Sequence, residues 1–140
     1  MDKKQIVEIS EIALKAASKA SEKIMDVYLS EDFFQKVKGD GSPVTKADLS
    51  SHEIICKELS KLKLDIPILS EEDKDLSSTK ETRTFWLIDP LDGTKEFINK
   101  NGEFTVNIAL VEKGIPVLGI VSLPATKEVY MGAKGVVAFK

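Results

Sequence analysis

The sequence predicts an α+β fold in which long helices pack on a largely antiparallel sheet, and three observations predict it. Apolar residues recur at steps of three and four over residues 6–28 and again over 46–63. Short β-favouring runs follow from residue 85 onward. Glycine-containing turns join those later runs as hairpins, where a helical crossover would be needed for a parallel sheet.

The bulk numbers agree with one such layer. The chain has 140 residues, 42% of them hydrophobic, and a chain of this size buries roughly two-thirds of its unfolded surface as one core. A single domain is expected. Twenty Lys and Arg against 23 Asp and Glu give a net charge of −3, which excludes an electrostatic binder of nucleic-acid polymers. The single cysteine, Cys56, cannot form an intrachain disulfide, so a stapled secreted scaffold is excluded and a reducing, cytoplasmic compartment is expected. No apolar run approaches the roughly 18 residues of a membrane span, and Met1-Asp2-Lys3-Lys4-Gln5 leads into no apolar signal core. A soluble, unprocessed protein without a transmembrane segment follows.

In order, the first helix presents Ile6, Ile9, Ala13, Ala16, Ala20, Ile24 and Val27 as one stripe. Its small alanines suit close packing on a sheet or another helix better than a coiled-coil seam. A short strand is expected over 33–37, then a mobile turn over 39–43, with Thr45 as N-cap of the second helix. That helix would bury Ala47, Ile54 or Ile55, Leu59 and Leu62, and carry Asp48 in its first turn, where a negative charge favours the helix dipole. A brief strand over 66–69 would end in a solvated acidic loop over 70–84. Residues 85–88 form a buried central strand that stops at Asp89-Pro90. Strands over 104–111 and 116–123 pair through Glu112-Lys113-Gly114, and 129–131 with 136–139 make one more hairpin.

Several chemistries are absent. There is no Walker A or GxGxxG sequence, and one His with one Cys cannot build a zinc site. His52 and Cys56 stand at i and i+4, the spacing of a nucleophile and base, but with no orienting carboxylate in the motif they read as half-buried helix surface.

The strong signal is Asp89-Pro90-Leu91-Asp92-Gly93-Thr94. Two carboxylates close together at a strand end repel unless a cation intervenes. Magnesium takes hard oxygen ligands, so Asp89, Asp92 and the Leu91 carbonyl form a ligand set. The amides of Gly93 and Thr94 would open a short helix and receive a phosphate. A plain helix-capping turn is the alternative for an isolated Asp-Gly, and Ser70-Glu71-Glu72 taken alone is a solvated acidic run.

Together with Thr45-Lys46-Ala47-Asp48, Leu69-Ser70-Glu71-Glu72, Trp86-Leu87-Ile88 before the aspartates, Lys95-Glu96-Phe97 after them and Asn101-Gly102-Glu103-Phe104-Thr105-Val106-Asn107, the sequence resembles the lithium-sensitive, magnesium-dependent inositol monophosphatase superfamily. The match is strongest to its CysQ-type 3′(2′),5′-bisphosphate nucleotidase branch, which Lys95-Glu96-Phe97 and the Gly102 to Asn107 run favour. The resemblance implies the N-terminal half of that layered phosphatase fold and a magnesium-dependent hydrolase that converts 3′-phosphoadenosine 5′-phosphate to AMP. It implies that Glu71, Asp89 and the Leu91 carbonyl hold one Mg2+, that Asp89 and Asp92 hold a second, and that Thr94 and Glu71 position the attacking water. Asp48 would assist that water or a third, weak ion; its other reading is a first-turn helix carboxylate, and both stand.

The chain departs from the family in length. Members run to nearly twice this size and carry a further metal-binding aspartate in a C-terminal Trp-Asp motif, whereas Trp86, the only Trp here, precedes Leu87. Residues 1–140 are therefore expected to be the N-terminal metal-binding domain, either a fragment or a naturally short product, with an incomplete second metal site. Such a domain is expected to fold alone, bind magnesium weakly, act far more slowly than a complete enzyme, and self-associate through the face a second domain would cover. A phosphatase for inositol or other small sugar phosphates is the alternative substrate reading; a non-catalytic binding or assembly module is the alternative of another class.

Overall fold

The computed structural model describes residues 2–30, 35–37, 43–62, 64–70, 84–98, 102–134 and 136–139. Helix α1 (Lys3–Ser30) begins earlier and ends later than the 6–28 stretch expected from its apolar stripe. The early start has a local cause. Asp2 Oδ1 accepts the Gln5 amide at 2.8 Å while the Asp2 amide donates to Gln5 Oε1 at 3.1 Å, a reciprocal cap for donors that lack intrahelical partners. The predicted stripe is buried along its whole length, and Ala13, Ala16, Ala17 and Ala20 have no exposed surface. Side chains this small let α1 lie close to its neighbours.

Strands β1 (Gln35–Val37) and β2 (Pro43–Thr45) form an antiparallel ribbon. Residues 33–34 of the expected first strand, and 38–42 around the expected turn, lie outside the described residues. Pro43, assigned by sequence to that turn, instead opens β2; the first residue of a strand tolerates a missing N–H. Helix α2 (Lys46–Leu59) starts where expected but stops short of residue 63. There the Lys61 and Leu62 amides turn back to the Glu58 and Leu59 carbonyls at 3.2 and 3.1 Å, the tighter bonding typical of a final turn. Ala47, Ile55 and Leu59 are buried as predicted, with Ile54 and Leu62 packed at the margin of the core.

The remaining elements are β3 (Ile68–Ser70), β4 (Thr84–Asp92), α3 (Thr94–Ile98), β5 (Thr105–Glu112), β6 (Ile115–Leu123), β7 (Glu128–Ala133) and β8 (Val136–Phe139). They build a six-stranded sheet in the order β3-β4-β5-β6-β7-β8. Only β3 and β4 run parallel; every other neighbouring pair is antiparallel, so the predicted class holds with one mixed edge. Several boundaries differ from expectation: β3 starts at Ile68 where 66 was expected, β5 shifts by one residue, β6 starts one residue early, and β7 runs from Glu128 to Ala133. Ser70 and Thr84, the ends of the expected acidic loop, belong to β3 and β4, and 71–83 lie outside the described residues. Strand β4 does not stop at Asp89-Pro90 but continues to Asp92. The β5–β6 hairpin closes through Lys113 and Gly114, with φ of 53° and 76°, the doubly positive pair that matches the twist of hairpin strands.

Alternation sorts the sheet into two faces. Trp86, Ile88, Ile108, Leu110, Leu118, Ile120 and Met131 form the buried face with α1 and α2. Leu87, Val121 and Tyr130 lie on the other, 44%, 40% and 43% exposed, so β4, expected to be buried over 85–88, is buried on one face only. Helix α1 is tied to the sheet by a 2.7 Å hydroxyl contact between Ser21 and Ser122. At its C-terminal end, Tyr28, Phe97 and Phe104 pack as a triangle with ring centroids 5.1 to 5.4 Å apart. This cluster fixes α3 and the approach to β5.

Helices α1 and α2 are clasped by Glu58, whose carboxylate receives Lys19 Nζ at 2.6 Å and Lys61 Nζ at 2.9 and 3.0 Å. The Lys19 hydrogen bond, seconded by Lys61, holds the Glu58 carboxyl down from its ordinary 4.5 to about 2. A lowered folded-state pKa means that this stabilisation is complete above about 4.5 and is lost as pH falls through about 2. Thermal melts of the wild type and Glu58→Gln are expected to differ most above that window and to converge within it. Phe97→Ala, which empties the fully buried corner of the aromatic triangle, is expected to lose about 3–5 kcal/mol in urea unfolding.

Candidate active site at the end of strand β4

The ladder between β4 and β5 changes step where the two aspartates stand. Asp89 lies opposite Asn107 and Asp92 opposite Thr105, so β4 advances three residues while β5 advances two. In a regular strand, residues three apart face opposite sides. The extra residue of a bulge reverses that parity, and it places Asp89 and Asp92 on the same face as Asn107 and Thr105. Burial follows the same pattern: Pro90 and Leu91 are buried in succession, Asp89 is half-buried and Asp92 exposed. Asn107 Nδ2 donates to Asp92 Oδ2 at 3.3 Å, and the Thr105 hydroxyl lies 3.4 Å from Asn107 Oδ1.

Beyond the bulge the chain turns through Gly93, whose φ of 90° is one that L side chains rarely adopt. The Gly93 carbonyl then accepts the Phe97 amide at 2.9 Å as the first bond of α3. Thr94 Oγ1 is 2.9 Å from Asp48 Oδ1 and 3.4 Å from the Leu91 carbonyl. A hydroxyl has one proton to donate, and the shorter, charge-assisted contact takes it. Asp48 has no exposed surface, so it is both a first-turn carboxylate of α2 and the partner of Thr94.

The same face of α2 makes two more contacts. Ser51 Oγ donates to the Pro90 carbonyl at 2.7 Å, and His52 Nδ1 lies 2.9 Å from Ser70 Oγ at the end of β3. His52 is half-buried, as its helix position suggested, with Cys56 Sγ 3.7 Å from Nε2. Sequence reasoning did not single out Ser51 or the role of Asn107 beside Asp92. The i, i+3, i+4 spacing of Asp48, Ser51 and His52 was the available signal for the first.

Of the residues predicted from sequence, the structure brings Asp48 to Thr94 and sets Asp89, Leu91, Asp92 and Gly93 along one bulge and turn. Glu71 lies outside the described residues. Two carboxylates and a carbonyl are hard oxygen donors of the kind magnesium selects, and they fit that ion; among the described residues, no group of three His, Cys, Asp or Glu side chains gathers closely enough to hold a metal by itself. A concavity of about 590 Å3 on the open sheet face reaches the site at Asp89 and Asn107 and is otherwise lined by residues such as Leu69, Leu87, Ala109 and Val121.

Comparison with known proteins places this arrangement. The inositol monophosphatase family model matches residues 5–140. The 3′(2′),5′-bisphosphate nucleotidase CysQ of Salmonella typhimurium is 50% identical over 121 residues, covering 85% of this chain and 49% of that protein. The crystal structure of CysQ from Bacteroides thetaiotaomicron, a bacterial member of the inositol monophosphatase family, is 46% identical and aligns over 91% of this chain and 46% of its own, with a TM-score of 0.76. A LiCl-soaked staphylococcal inositol monophosphatase-1 shares the fold at 21% identity, with a TM-score of 0.86 over 99% of this chain and 52% of its own. The chain spans about half the length of the curated relatives it matches.

The turn between bulge and helix is a point of backbone constraint. Gly93→Ala, which forces a Cβ onto the positive φ there, is expected to lower stability by about 1–2 kcal/mol in denaturant unfolding.

Proposed function

This chain belongs to the inositol monophosphatase family, and from that premise we propose that its protein is a magnesium-dependent 3′(2′),5′-bisphosphate nucleotidase that removes the 3′-phosphate of 3′-phosphoadenosine 5′-phosphate to leave AMP. The observation that carries the reading is the 2.9 Å contact of Thr94 Oγ1 with buried Asp48, next to a bulge that presents two aspartates on one face. The choice of nucleotide over inositol phosphate rests on the 50% identity with CysQ and on Lys95-Glu96-Phe97 following the aspartates.

Because the Thr94 hydroxyl donates its hydrogen bond to Asp48, its lone pairs are left to accept a hydrogen bond from water. A water held this way, with Glu71 as a second acceptor, keeps an oxygen lone pair for attack on phosphorus. As that oxygen bonds to phosphorus, the bond to the 3′-oxygen breaks; the water's proton is drawn toward the acceptors, and the 3′-oxygen takes a proton from solvent to become the 3′-hydroxyl of AMP. Asp89, Asp92, Glu71 and the Leu91 carbonyl would hold magnesium, which when bound supplies charge stabilisation to the phosphoryl and leaving oxygens. Asn107 restrains Asp92 through the 3.3 Å amide contact. The amides of Gly93 and Thr94, at the start of α3, are the donors proposed for the phosphate. Among the described residues no helix is long and apolar enough to cross a membrane; a reducing, cytoplasmic setting is the matching proposal.

Phosphate release from 3′-phosphoadenosine 5′-phosphate and from inositol monophosphate, with and without magnesium, tests the reading. Faster release from the nucleotide, dependent on magnesium, is expected, and the opposite preference would favour an inositol phosphatase. Thr94→Val is expected to lower kcat by about 10²–10⁴-fold. Undiminished release by Asp89→Asn would show the assigned site to be wrong.

A further inference from the structure

The contacts of α2 reach three segments of the site, the end of β3, the bulge of β4 and the start of α3, from one helical face. Asp48, Ser51 and His52 are spaced i, i+3 and i+4, so their side chains lie together, and they meet Thr94, the Pro90 carbonyl and Ser70 in turn. The first contact belongs to the proposed chemistry. The other two touch no reacting group and need a separate explanation.

Pro90 and Leu91 occupy the step in the β4–β5 register, between the paired residues Asp89 and Asp92. Pro90 has no N–H to offer a ladder. The conformation of the peptide that joins the two aspartates is therefore left to whatever binds its carbonyls. Ser51, fully buried, supplies a hydroxyl to the Pro90 carbonyl at 2.7 Å. On the other side of the site, Ser70 is 2% exposed, is the last residue of β3 and pairs with Ile88, directly before Asp89. His52 Nδ1 holds its hydroxyl at 2.9 Å. One rigid helix thus grips the backbone between the two aspartates and the strand end that pairs beside Asp89.

We infer that Ser51 and His52 are positioning residues for the magnesium site: Ser51 sets the peptide between Asp89 and Asp92, and His52 sets the end of β3 where it pairs with β4 directly before Asp89. The inference rests on the metal-dependent reading above and deepens it. Metal affinity depends on ligands being held in place before the ion arrives, and loss of such outer partners typically weakens binding about 10–100-fold.

Calorimetric titration of the full chain with MgCl2, at temperatures well below each variant's Tm, tests this. Ser51→Ala and His52→Leu are each expected to weaken magnesium binding by about 10–100-fold. His52→Asn keeps an amide nitrogen near the place of Nδ1 and is expected to recover most of the loss. A lowered Tm with unchanged magnesium affinity would show the two residues to be merely structural and would overturn the inference while leaving the proposed function standing. Equal loss in His52→Leu and His52→Asn would overturn the role given to the Ser70 bond. If Ser51→Ala does not fold, the half-exposed His52 pair decides the matter. A wild-type chain that binds no magnesium would overturn both the inference and the reading it rests on.

Discussion

One extra residue in β4 sets the geometry of everything around it. Between Asp89 and Asp92 the strand takes three steps against two in β5, and this mismatch alone turns two carboxylates to the same side of the sheet. Without it, Asp92 would point toward the helices, into a layer filled by Trp86, Ile88 and Leu91, where an ionised group is costly to bury. The bulge also solves its own bonding problem. Pro90 contributes no donor, its carbonyl is taken by Ser51, and the buried side chains of Pro90 and Leu91 face the core together.

The scaffold behind the bulge is built for close, stiff packing. Alanines on α1, with no exposed surface, let that helix sit close to the sheet and α2, and close-packed interiors respond to small displacements. Helix α2 then serves two purposes along one length. Ala47, Ile55 and Leu59 enter the core, while Asp48, Ser51 and His52 reach the site segments. The aromatic triangle of Tyr28, Phe97 and Phe104 pins α3 from the other side, so Thr94 is held between two fixed helices. Placement of polar groups by packed elements is what allows a site to meet its ligand already formed.

Much of this was legible in the linear chain. The stripe from Ile6 to Val27 announced a helix with a small-residue face, and all seven of its positions are buried, with Ser10 and Ala17 buried beside them. Alternation over β5 and β6 and the Lys113-Gly114 turn announced a hairpin. The readings that failed were the burial of the continuous apolar run 85–88, whose Leu87 faces the open side of the sheet, and boundaries set by partners distant in sequence or by side-chain caps. Asp2 and Gln5 extend α1 through a reciprocal cap that the apolar stripe does not contain. Pro90 looked like the end of β4 because proline lacks a donor, yet a bulge is one of the places where a strand needs none. Ser51 looked like an unremarked helix residue because its value lies in the carbonyl it meets.

The sequence by itself determined which chemistry is available: two aspartates around a proline, a glycine and threonine after them, an aspartate opening a helix, and a hydrophobic pattern that makes helices and strands of fixed identity. Those are properties of residue type and short-range spacing, and they survive without knowledge of the fold. Only the tertiary structure decided that Asp89 and Asp92 share a face, that Thr94 meets Asp48 from 46 positions away, and that α2 grips both strand ends. The reason is physical. Strand parity depends on register against a neighbour, and a hydrogen bond between distant segments depends on packing that brings them within 3 Å or so, neither of which is written in any local pattern.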